Sequence, residues 1–382
     1  MRICISVTND VFTDQRVDRT VRSLVKAGYT VQVVGRKRSS DFKDTAFPCR
    51  VKQLHLLFHK GPLFYAEYNI RLFAFLLLAK TDILLACDLD TLAANYLAAR
   101  LRSKSLIYDS HEYYTEVPEL IGRPGTRKIW EGIEKRILPH VSFACTVSQS
   151  IANAYQIKYG IRMEVICNYP YKRKFVGQPG FSLKRGQEKI ILYQGSVNMA
   201  RGLEMAILAM KFVENARLVI IGDGDVLNDL IRLSENAGLS GIVTFCGRVS
   251  IHNLTSYTRQ ADIGISLEED LGLNYRYALP NKLFDYIQAG VPVLVSDLPE
   301  MAALVKKYEI GRTIRTTDPR ELASCFSAML ADSPERKRWK DNLQMASEEL
   351  CWEKEEIKLL QLVRQAERQK GRKGAGERRR KQ

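Results

Sequence analysis

The chain has 382 residues and a mass of 43.5 kDa, enough for two domains that each bury a hydrophobic core. Its hydrophobic content of 46% and charged content of 26% are typical of a globular protein. The eight cysteines are scattered and form no C-x-x-C pair, which argues against a zinc site and a disulfide framework and favours a reducing cytoplasm. The first residues, MRICISV, predict a strand rather than a signal peptide, and the apolar segment 72–79 is too short to cross a bilayer.

The formal net charge of +15 is concentrated toward the C-terminus, where residues 364–382 carry nine Lys or Arg against two Glu. A solvated, disordered tail is the first interpretation of such a run, and contact with an anionic membrane surface is the alternative. The segment contains no aromatic residue, which weakens the case for stacking on single-stranded nucleic acid. We therefore expect no nucleic-acid partner and a cytoplasmic protein, with peripheral contact at the inner face of the membrane as the finer hypothesis.

Strand-like apolar runs alternate with helical patterns through the first half of the chain, which predicts an α/β domain with a parallel sheet. Strands are predicted at residues 2–7, 30–34, 83–87, 105–109, 142–147 and 163–167, and helices at 16–26, 91–101 and 149–158. Asp90 is placed to cap the second of these helices. No G-x-G-x-x-G follows the first strand, so a dinucleotide fingerprint is missing where it would be expected.

The alternating pattern lapses and then resumes in the second half. We predict a domain at residues 1–168, a linker at 169–188, and a second domain at 189–350, followed by a helix at 351–368 and a basic tail at 369–382. Strands of the second domain are predicted at 190–194, 217–221, 243–246, 263–266 and 292–295, with only helices after residue 311. The C-terminal helix is predicted to pack back on the first domain. Two Rossmann-like domains of this kind bind ligands in a cleft outside the carboxyl ends of their strands.

The sequence ALPNKLFDYIQAGVPVLVSD at residues 278–297 predicts a short helix stopped by Gly290 and then a buried strand. A helical wheel places Lys282 and Asp285 together, opposite the apolar face. An i,i+3 ion pair on a solvated surface would explain them. However, Lys282 lies in the first turn, where the helix dipole disfavours a cation, and a bound anion would remove this conflict.

A second cation occupies the same kind of position in YQGSVNMARGLEMA, where Arg201 stands just before the helix-opening Gly202. A diphosphate held between the two helices would explain both Arg201 and Lys282. The alternative is that Arg201 is a solvated loop residue.

Two other strand ends in the second half are also rich in glycine. Gly222, Asp223 and Gly224 follow one strand, and Gly247 and Arg248 follow the next. Glycines here permit a close backbone approach to a ligand, but a merely tight β–α turn explains them equally well. Arg248 is a candidate for the rim of a base or phosphate pocket.

The first half offers fewer candidates. His111 and Glu112, in the DSHE motif, follow a strand, and His111 could donate to a sugar hydroxyl or take up a proton. Asp14 and Arg16 follow the first strand, although a helix cap and surface ion pairs explain them nearly as well. The D-x-D patterns at 88–90 and 223–225 match metal-binding motifs, but three-residue matches occur by chance, and we expect no metal.

Taken together, these motifs resemble family 4 glycosyltransferases of the two-domain GT-B fold. The resemblance covers DQRVDRTVRSLVKAGYTVQVV, CDLDTLAANYLAARL and YDSHEYY in the first half, and YQGSVNMARGLE, VIIGDGD, VTFCGRV, ADIGISL and LPNKLFDYIQAGVPVLVSD in the second. It implies that Arg201 and Lys282 hold the donor diphosphate, that Asp285 binds the ribose, and that His111 lies near the transferred sugar. It also implies transfer with retention of configuration and without an essential metal.

The resemblance sorts the candidate residues into three groups. The catalytic candidates are Arg201, Lys282 and His111. The donor-binding candidates are Gly195, Ser196, Gly222, Asp223, Gly224, Arg248, Asn281 and Asp285, and those on the acceptor side are Asp14, Arg16 and Glu112. The chain departs from the family where the first acid of its E-x7-E motif would be, because that position is Tyr277 and the nearby Glu268 and Glu269 are out of register. Asp285 replaces the second acid, and Ser196 replaces an arginine.

We therefore expect a retaining hexosyltransferase that moves a sugar from a UDP- or GDP-activated donor to a glycan or lipid-linked acceptor, in surface polysaccharide or glycolipid assembly. Two alternatives remain open at this point. A sugar-nucleotide epimerase of the same fold would alter the donor without an acceptor. A nucleic-acid-binding protein would account for the charge, but not for the glycine turns.

Overall fold

The computed structural model describes residues 1–9, 11–12, 14–36, 47–172, 181–184, 186–331 and 333–379; for residues 251, 252 and 370–379 it describes the backbone. The chain forms two compact units. The N-terminal unit comprises Met1–Asn168 and Glu353–Gln382, and the C-terminal unit comprises Tyr169–Trp352. The predicted linker therefore has its described residues within the C-terminal unit, where Leu183 packs into the core.

The N-terminal unit contains a seven-stranded parallel sheet in the order β3-β2-β1-β4-β5-β6-β7. Its strands are β1 (Arg2–Ser6), β2 (Thr30–Arg36), β3 (Arg50–Leu54), β4 (Ile83–Cys87), β5 (Ser105–Ser110), β6 (Phe143–Thr146) and β7 (Glu164–Val165). Its helices before the crossing into the second unit are α1 (Gln15–Lys26), α2 (Gly61–Leu78), α3 (Leu89–Leu101), α4 (Pro118–Ile121), α5 (Pro124–Ile137) and α6 (Gln149–Tyr159). The α/β class predicted from the alternating pattern is confirmed.

Local sequence explains where several of these helices begin. Helix α1 begins after Asp14, whose carboxylate accepts the backbone N–H groups of Arg16 and Val17. Helix α3 begins at Leu89, so the prediction that Asp90 caps it is wrong. Asp90 lies in the first turn, and the residue at the cap position is Asp88, which has a φ of 58° and makes no capping bond through its side chain.

The C-terminal unit contains a six-stranded parallel sheet in the order β10-β9-β8-β11-β12-β13. Its strands are β8 (Lys189–Gln194), β9 (Ala216–Ile221), β10 (Val243–Gly247), β11 (Ile263–Ser266), β12 (Val293–Ser296) and β13 (Gly311–Ile314). Its helices are α7 (Leu203–Ala209), α8 (Leu227–Asn236), α9 (Ile251–Thr258), α10 (Gly272–Arg276), α11 (Asn281–Ala289), α12 (Pro299–Tyr308), α13 (Pro319–Leu330) and α14 (Pro334–Glu349).

Strand β13 corrects the expectation that only helices follow residue 311. Its four residues, GRTI, have no apolar run, so the sequence gives no strand signal. Pairing with β12 decides the structure instead, because a Cβ atom at Gly311 would lie 1.9 Å from the carbonyl oxygen of Val293. Because Gly311 has no Cβ atom, the edge strand β13 can approach β12 closely enough to pair with it.

Helix α11 carries the segment that the sequence singled out. Leu283, Phe284 and Ile287 are buried in the core, and Gly290 ends the helix in the left-handed conformation with a φ of 72°, as predicted. The fully buried Tyr286 fixes the helix on the sheet, since its hydroxyl donates to the carbonyl oxygen of Leu192 and lies 3.2 Å from that of Ile265. The middle of α11 is thereby held against β8 and β11.

The last helix, α15 (Trp352–Arg379), returns to the N-terminal unit. Its buried face includes Leu362, Val363 and Ala366, and the carbonyl oxygen of Ala366 accepts a hydrogen bond from Ser105. The backbone remains helical to Arg379, beyond the predicted boundary at 368, so part of the segment predicted as a disordered tail is helical. All eight cysteines are free thiols. No helix in the described part of the chain combines the length and hydropathy needed to span a membrane.

Candidate functional site

In each sheet the chain builds strands outward in one direction and then, after one crossover, in the other. Ligands of such sheets usually bind at the carboxyl ends of the two strands on either side of this crossover point. In the C-terminal unit this point lies between β8 and β11, and in the N-terminal unit it lies between β1 and β4. Both points carry charged side chains that are largely withdrawn from solvent.

The loops after β8 and β9 pack backbone against backbone. Gly195 and Gly222 have φ values of 131° and 149°, and a Cβ atom at Gly222 would lie 1.8 Å from the carbonyl oxygen of Gly195. A Cβ atom at Gly224 would lie 2.3 Å from the carbonyl oxygen of Val197. The close approach of these two loops therefore requires glycine at both Gly222 and Gly224. Ser196, next to these turns, is exposed, and its carbonyl oxygen accepts the Tyr193 hydroxyl.

Arg201 and Lys282 meet at one buried carboxylate. The ammonium of Lys282 lies 2.5 Å from Oε1 of Glu268, and Nη1 of Arg201 lies 3.4 Å from the same oxygen. Glu268 is 0% exposed at its side chain, and its other oxygen accepts the hydroxyl of Ser266 at 2.7 Å. The two cations that the sequence linked through a hypothetical diphosphate are thus neighbours in the folded chain.

Two tyrosine rings border this cluster. Nζ of Lys282 lies 4.4 Å from the centre of the Tyr193 ring, and the Arg201 guanidinium lies 4.7 Å from that of Tyr275. Both distances are within the range of cation–π attraction. The rings exclude water on one side of each cation while leaving the charge in place.

Electrostatics keep the cluster ionised. Burial alone would raise the pKa of Glu268, but Lys282 and Arg201 lower it below its usual value. Burial alone would lower the pKa of Arg201, and the Glu268 carboxylate raises it instead. With one anion between two cations, the cluster carries a net charge of +1.

The burial of Lys282 contradicts the alternative of an ion pair on a solvated surface. Only 7% of its side chain is exposed, so it does not lie on a solvated face beside Asp285. Asp285 is half-buried and accepts a hydrogen bond from Gln194, whose amide oxygen in turn accepts the hydroxyl of Thr258. Asn281, at the first position of α11, is exposed.

Asp223 and Arg248, predicted from separate motifs, lie together. Nε of Arg248 is 3.2 Å from a carboxylate oxygen of Asp223, and their side chains are 70% and 46% exposed. Such an exposed pair contributes little to stability, so both side chains can exchange this contact for another partner.

The N-terminal unit surrounds one histidine with carboxylates. The backbone N–H of His111 donates to Asp88 at 2.8 Å, and its ring nitrogens lie 3.5 Å from Asp88 and 3.2 Å from Asp109. Burial alone would lower the pKa of His111, but Asp88 and Asp109 raise it well above its usual value. The imidazole is therefore held as a cation, with 15% of the side chain exposed.

Arg16 fixes the position of the Asp109 side chain. Its guanidinium donates to both oxygens of Asp109, with a closest distance of 2.6 Å, and to the carbonyl oxygen of Ile166. Both side chains are almost completely buried, at 3% and 2% exposure, and the pKa of Asp109 is lowered because this pairing outweighs its burial. Arg16, expected near an acceptor, thus acts on His111 through Asp109, while Asp14 serves as the cap of α1.

Two more carboxyl groups at this point have raised pKa values. Burial, reinforced by the charge of Asp88, raises the pKa of Asp90 to about 7 and that of Glu112 to about 8. Asp90 accepts the hydroxyl of Thr8 through one oxygen, and its other oxygen is buried without a hydrogen-bond partner in the described part of the chain. Both groups can therefore exchange a proton near neutral pH.

Cys87, Asp109 and His111 place their ligand-type atoms within 4.8 Å of one another, as a metal site requires. The donor set nevertheless fits a metal poorly. Burial raises the pKa of the Cys87 thiol to about 12, and Asp109 already accepts two donors from Arg16. A metal needs a thiolate and an available carboxylate.

Sequence reasoning missed the central role of Glu268 and the pairing of Arg16 with Asp109. The signal for Glu268 was a carboxylate two residues after β11, at the point where the strand order reverses. The family resemblance assigns Glu268 no role, because this residue does not match the register of E-x7-E.

Two family models match the chain, one in each unit. Residues 14–169 match the model described as Glycosyltransferase Family 4, and residues 178–345 match that described as Glycosyl transferases group 1. These matches show a glycosyltransferase, and the two units with their parallel sheets have the GT-B fold. The chain belongs to the family 4 glycosyltransferases.

Individual relatives are more distant. A stretch of 150 residues is 30% identical to an uncharacterized glycosyltransferase of Methanocaldococcus jannaschii, covering 38% of this chain and 36% of the relative. A stretch of 201 residues is 24% identical to the phosphatidyl-myo-inositol mannosyltransferase of Mycobacterium leprae, covering 49% and 47%. The chain thus spans between about a third and a half of these curated relatives. The fold is similar to that of Anabaena HepE in complex with UDP-glucose, with a TM-score of 0.74, 16% identity, and coverage of 96% and 100%.

Proposed function

We propose that this protein is a retaining glycosyltransferase that takes a hexose from a UDP- or GDP-sugar. The observation that carries the proposal is the pair of cations, Arg201 and Lys282, at the carboxyl ends of β8 and β11. Nε of Arg201 is also buried without a hydrogen-bond partner among the described residues, and a phosphate oxygen would supply the missing acceptor. The HepE complex supports this choice, because that protein was solved with UDP-glucose.

The neighbouring residues then have distinct roles at the donor. Asp285 accepts the ribose hydroxyls, and Gly195 allows the backbone to approach the diphosphate. Gly222 and Gly224 let the loop after β9 pack directly beside the loop that carries Gly195. Asp223, Arg248, Asn281 and Ser196 contribute to the rim of the same site. The cation pair replaces a metal, because fixed positive charge stabilises a departing diphosphate.

The reaction proceeds by displacement on one face of the sugar. The bond between the anomeric carbon and the phosphate oxygen breaks, and its electron pair goes to the diphosphate next to Arg201 and Lys282. The acceptor hydroxyl forms the new bond on the same face, and its proton passes to the departing phosphate oxygen. Configuration is retained.

The N-terminal unit contributes to the sugar and acceptor side. His111, held as a cation by Asp88 and Asp109, donates a hydrogen bond to a hydroxyl of the transferred sugar. Glu112, whose pKa of about 8 lets it donate or accept, contacts the acceptor. Asp14 and Arg16 act indirectly, by fixing α1 and Asp109.

The donor assignment is tested by thermal unfolding with UDP, GDP, ADP and CMP. A nucleotide present at about 100 times its dissociation constant adds roughly 2.7 kcal/mol of stability. We expect UDP or GDP to raise the melting temperature of the wild type and of Lys211→Met, an exposed control in the same unit, but to have much less effect on Lys282→Met. Equal shifts in all three proteins, or none in any, would contradict the proposal.

The stereochemistry is tested separately by NMR of the product formed from the nucleotide-sugar whose base stabilises the protein. Retention requires the anomeric configuration of the donor in the product. An inverted product would overturn the retaining mechanism, and conversion of the donor sugar without any acceptor would instead favour an epimerase.

The acceptor is a glycan or a lipid-linked glycan, in surface polysaccharide or glycolipid assembly, and the basic C-terminus associates with an anionic membrane. The support is the net charge of +15 and the lipid named in the mannosyltransferase relative. Deleting residues 371–382 should reduce binding to vesicles of anionic lipid at low salt. A longer deletion is unsuitable, because Ala366 is buried and Glu367 accepts the Tyr29 hydroxyl. Unchanged binding would remove the tail from the proposal.

A further inference from the structure

Glu268 has no role in the proposed chemistry, yet it is the residue on which both donor-site cations converge. Lys282 and Arg201 bind the same oxygen, Oε1, while the hydroxyl of Ser266 binds the other. The carboxylate is completely buried. It therefore lies behind the two cations and offers no surface to a ligand.

The arrangement is unusual in its charge balance. Two positive groups brought to one point repel each other, and this repulsion is stronger away from water. The carboxylate of Glu268 lies between the two cations and attracts both. This attraction offsets their mutual repulsion and holds Lys282 and Arg201 within 2.5 Å and 3.4 Å of the same oxygen. The remaining N–H donors of the guanidinium and the ammonium are then left for another acceptor, because each cation has more donors than Glu268 and its neighbours can accept.

We propose that Glu268 is a positioning residue of the donor site, which sets the geometry of Arg201 and Lys282 before the donor diphosphate arrives. This inference rests on the proposed function. It gives Glu268 no contact with the donor, since it acts through the two cations. Fixed charges stabilise a developing charge best when they need no reorganisation.

The neighbouring Glu269 provides a matched control. It carries the same charge one residue further along the loop, but its side chain is exposed, and its backbone N–H donates to the carbonyl oxygen of Ala200. Glu268→Gln and Glu269→Gln therefore change the net charge equally. Only the first removes the anion between the cations.

The experiment measures the affinity of each protein for UDP and GDP by calorimetry, and for uridine and guanosine by ligand-observed NMR. Glu268→Gln should weaken binding of the diphosphate by about tenfold or more and leave nucleoside binding unchanged. Glu269→Gln should behave as the wild type. Equal loss of nucleoside and diphosphate binding would show a general distortion of the unit and overturn the positioning role.

A double-mutant cycle with Lys282→Met tests whether Glu268 acts through its cations. In the Lys282→Met background, the effect of Glu268→Gln on diphosphate affinity should shrink to less than about threefold. Full additivity would overturn the inference. If the wild type binds UDP or GDP and Glu268→Gln binds it equally well, the inference fails and the proposed function stands. If the wild type binds no nucleotide, the proposed function itself fails.

Discussion

The points of reversed strand order in the two sheets are built on opposite charge schemes. In the C-terminal unit, one buried carboxylate, Glu268, holds two cations. In the N-terminal unit, two carboxylates, Asp88 and Asp109, hold one cationic histidine. The first scheme has an excess of positive charge and suits a diphosphate. The second surrounds a single donor with acceptors and suits the hydroxyls of a sugar.

The two clusters also differ in the residues that hold their central carboxylates in place. Glu268 is fixed by a serine hydroxyl two residues away, whereas Asp109 is fixed by a buried arginine from α1. The histidine site therefore depends on a further buried ion pair, between Arg16 and Asp109. Loss of that ion pair should affect stability more than binding.

The largest expected effect is on the stability of the N-terminal unit. Arg16→Met leaves Asp109 buried with only part of its charge compensated, and breaking such a pair costs about 3–5 kcal/mol. Hydrogen exchange of peptides from β1 and β5 should report this loss. Arg22→Met, in the same helix and paired with Asp18 at the surface, should cost less than about 1 kcal/mol. Comparable protection in both variants would show that the buried pair is not the support of this site.

The next effect separates binding from transfer. His111→Ala removes a charged hydrogen-bond donor, and a hydrogen bond to a charged group contributes about 1.5–3 kcal/mol. We expect transfer to fall about 100-fold while affinity for UDP or GDP is unchanged, whereas Lys282→Met should lower that affinity. His55→Ala, an exposed histidine of the same unit, should retain full activity. A loss of nucleotide affinity in His111→Ala would contradict the assignment of nucleotide binding to the C-terminal unit alone.

The smallest effect, when counted for a change of one pH unit, is a pH dependence of stability from the acidic residues around His111. The pKa of Asp90 is raised to about 7, so the folded chain holds a proton that the unfolded chain releases above about pH 4. Its contribution is therefore complete below pH 4 and is lost as pH rises toward 7, by at most about 1.4 kcal/mol per pH unit. Thermal unfolding between pH 5 and 8 should show this slope, and Asp90→Asn should flatten it. An unchanged slope in Asp90→Asn would assign the titration to another group.

The order of helices and strands follows largely from sequence, because apolar runs, caps and glycine stops act over a few residues. The helix-ending Gly290 and the cap by Asp14 are examples. Edge strand β13 was missed, because its four residues take their structure from pairing with β12. Asp90 was misplaced as a cap, since α3 begins one residue before it.

What the sequence determined by itself was the α/β class, the family, and the presence of Arg201, Lys282 and His111 at positions where a cation or proton donor is chemically informative. What only the tertiary structure decided was their partners. Glu268 lies 14 residues from Lys282 and 67 from Arg201, and Arg16 lies 93 from Asp109. No local pattern encodes pairs at such separations, because the folding of the sheet brings them together. Burial then makes each pair strong enough to set the charge of its site.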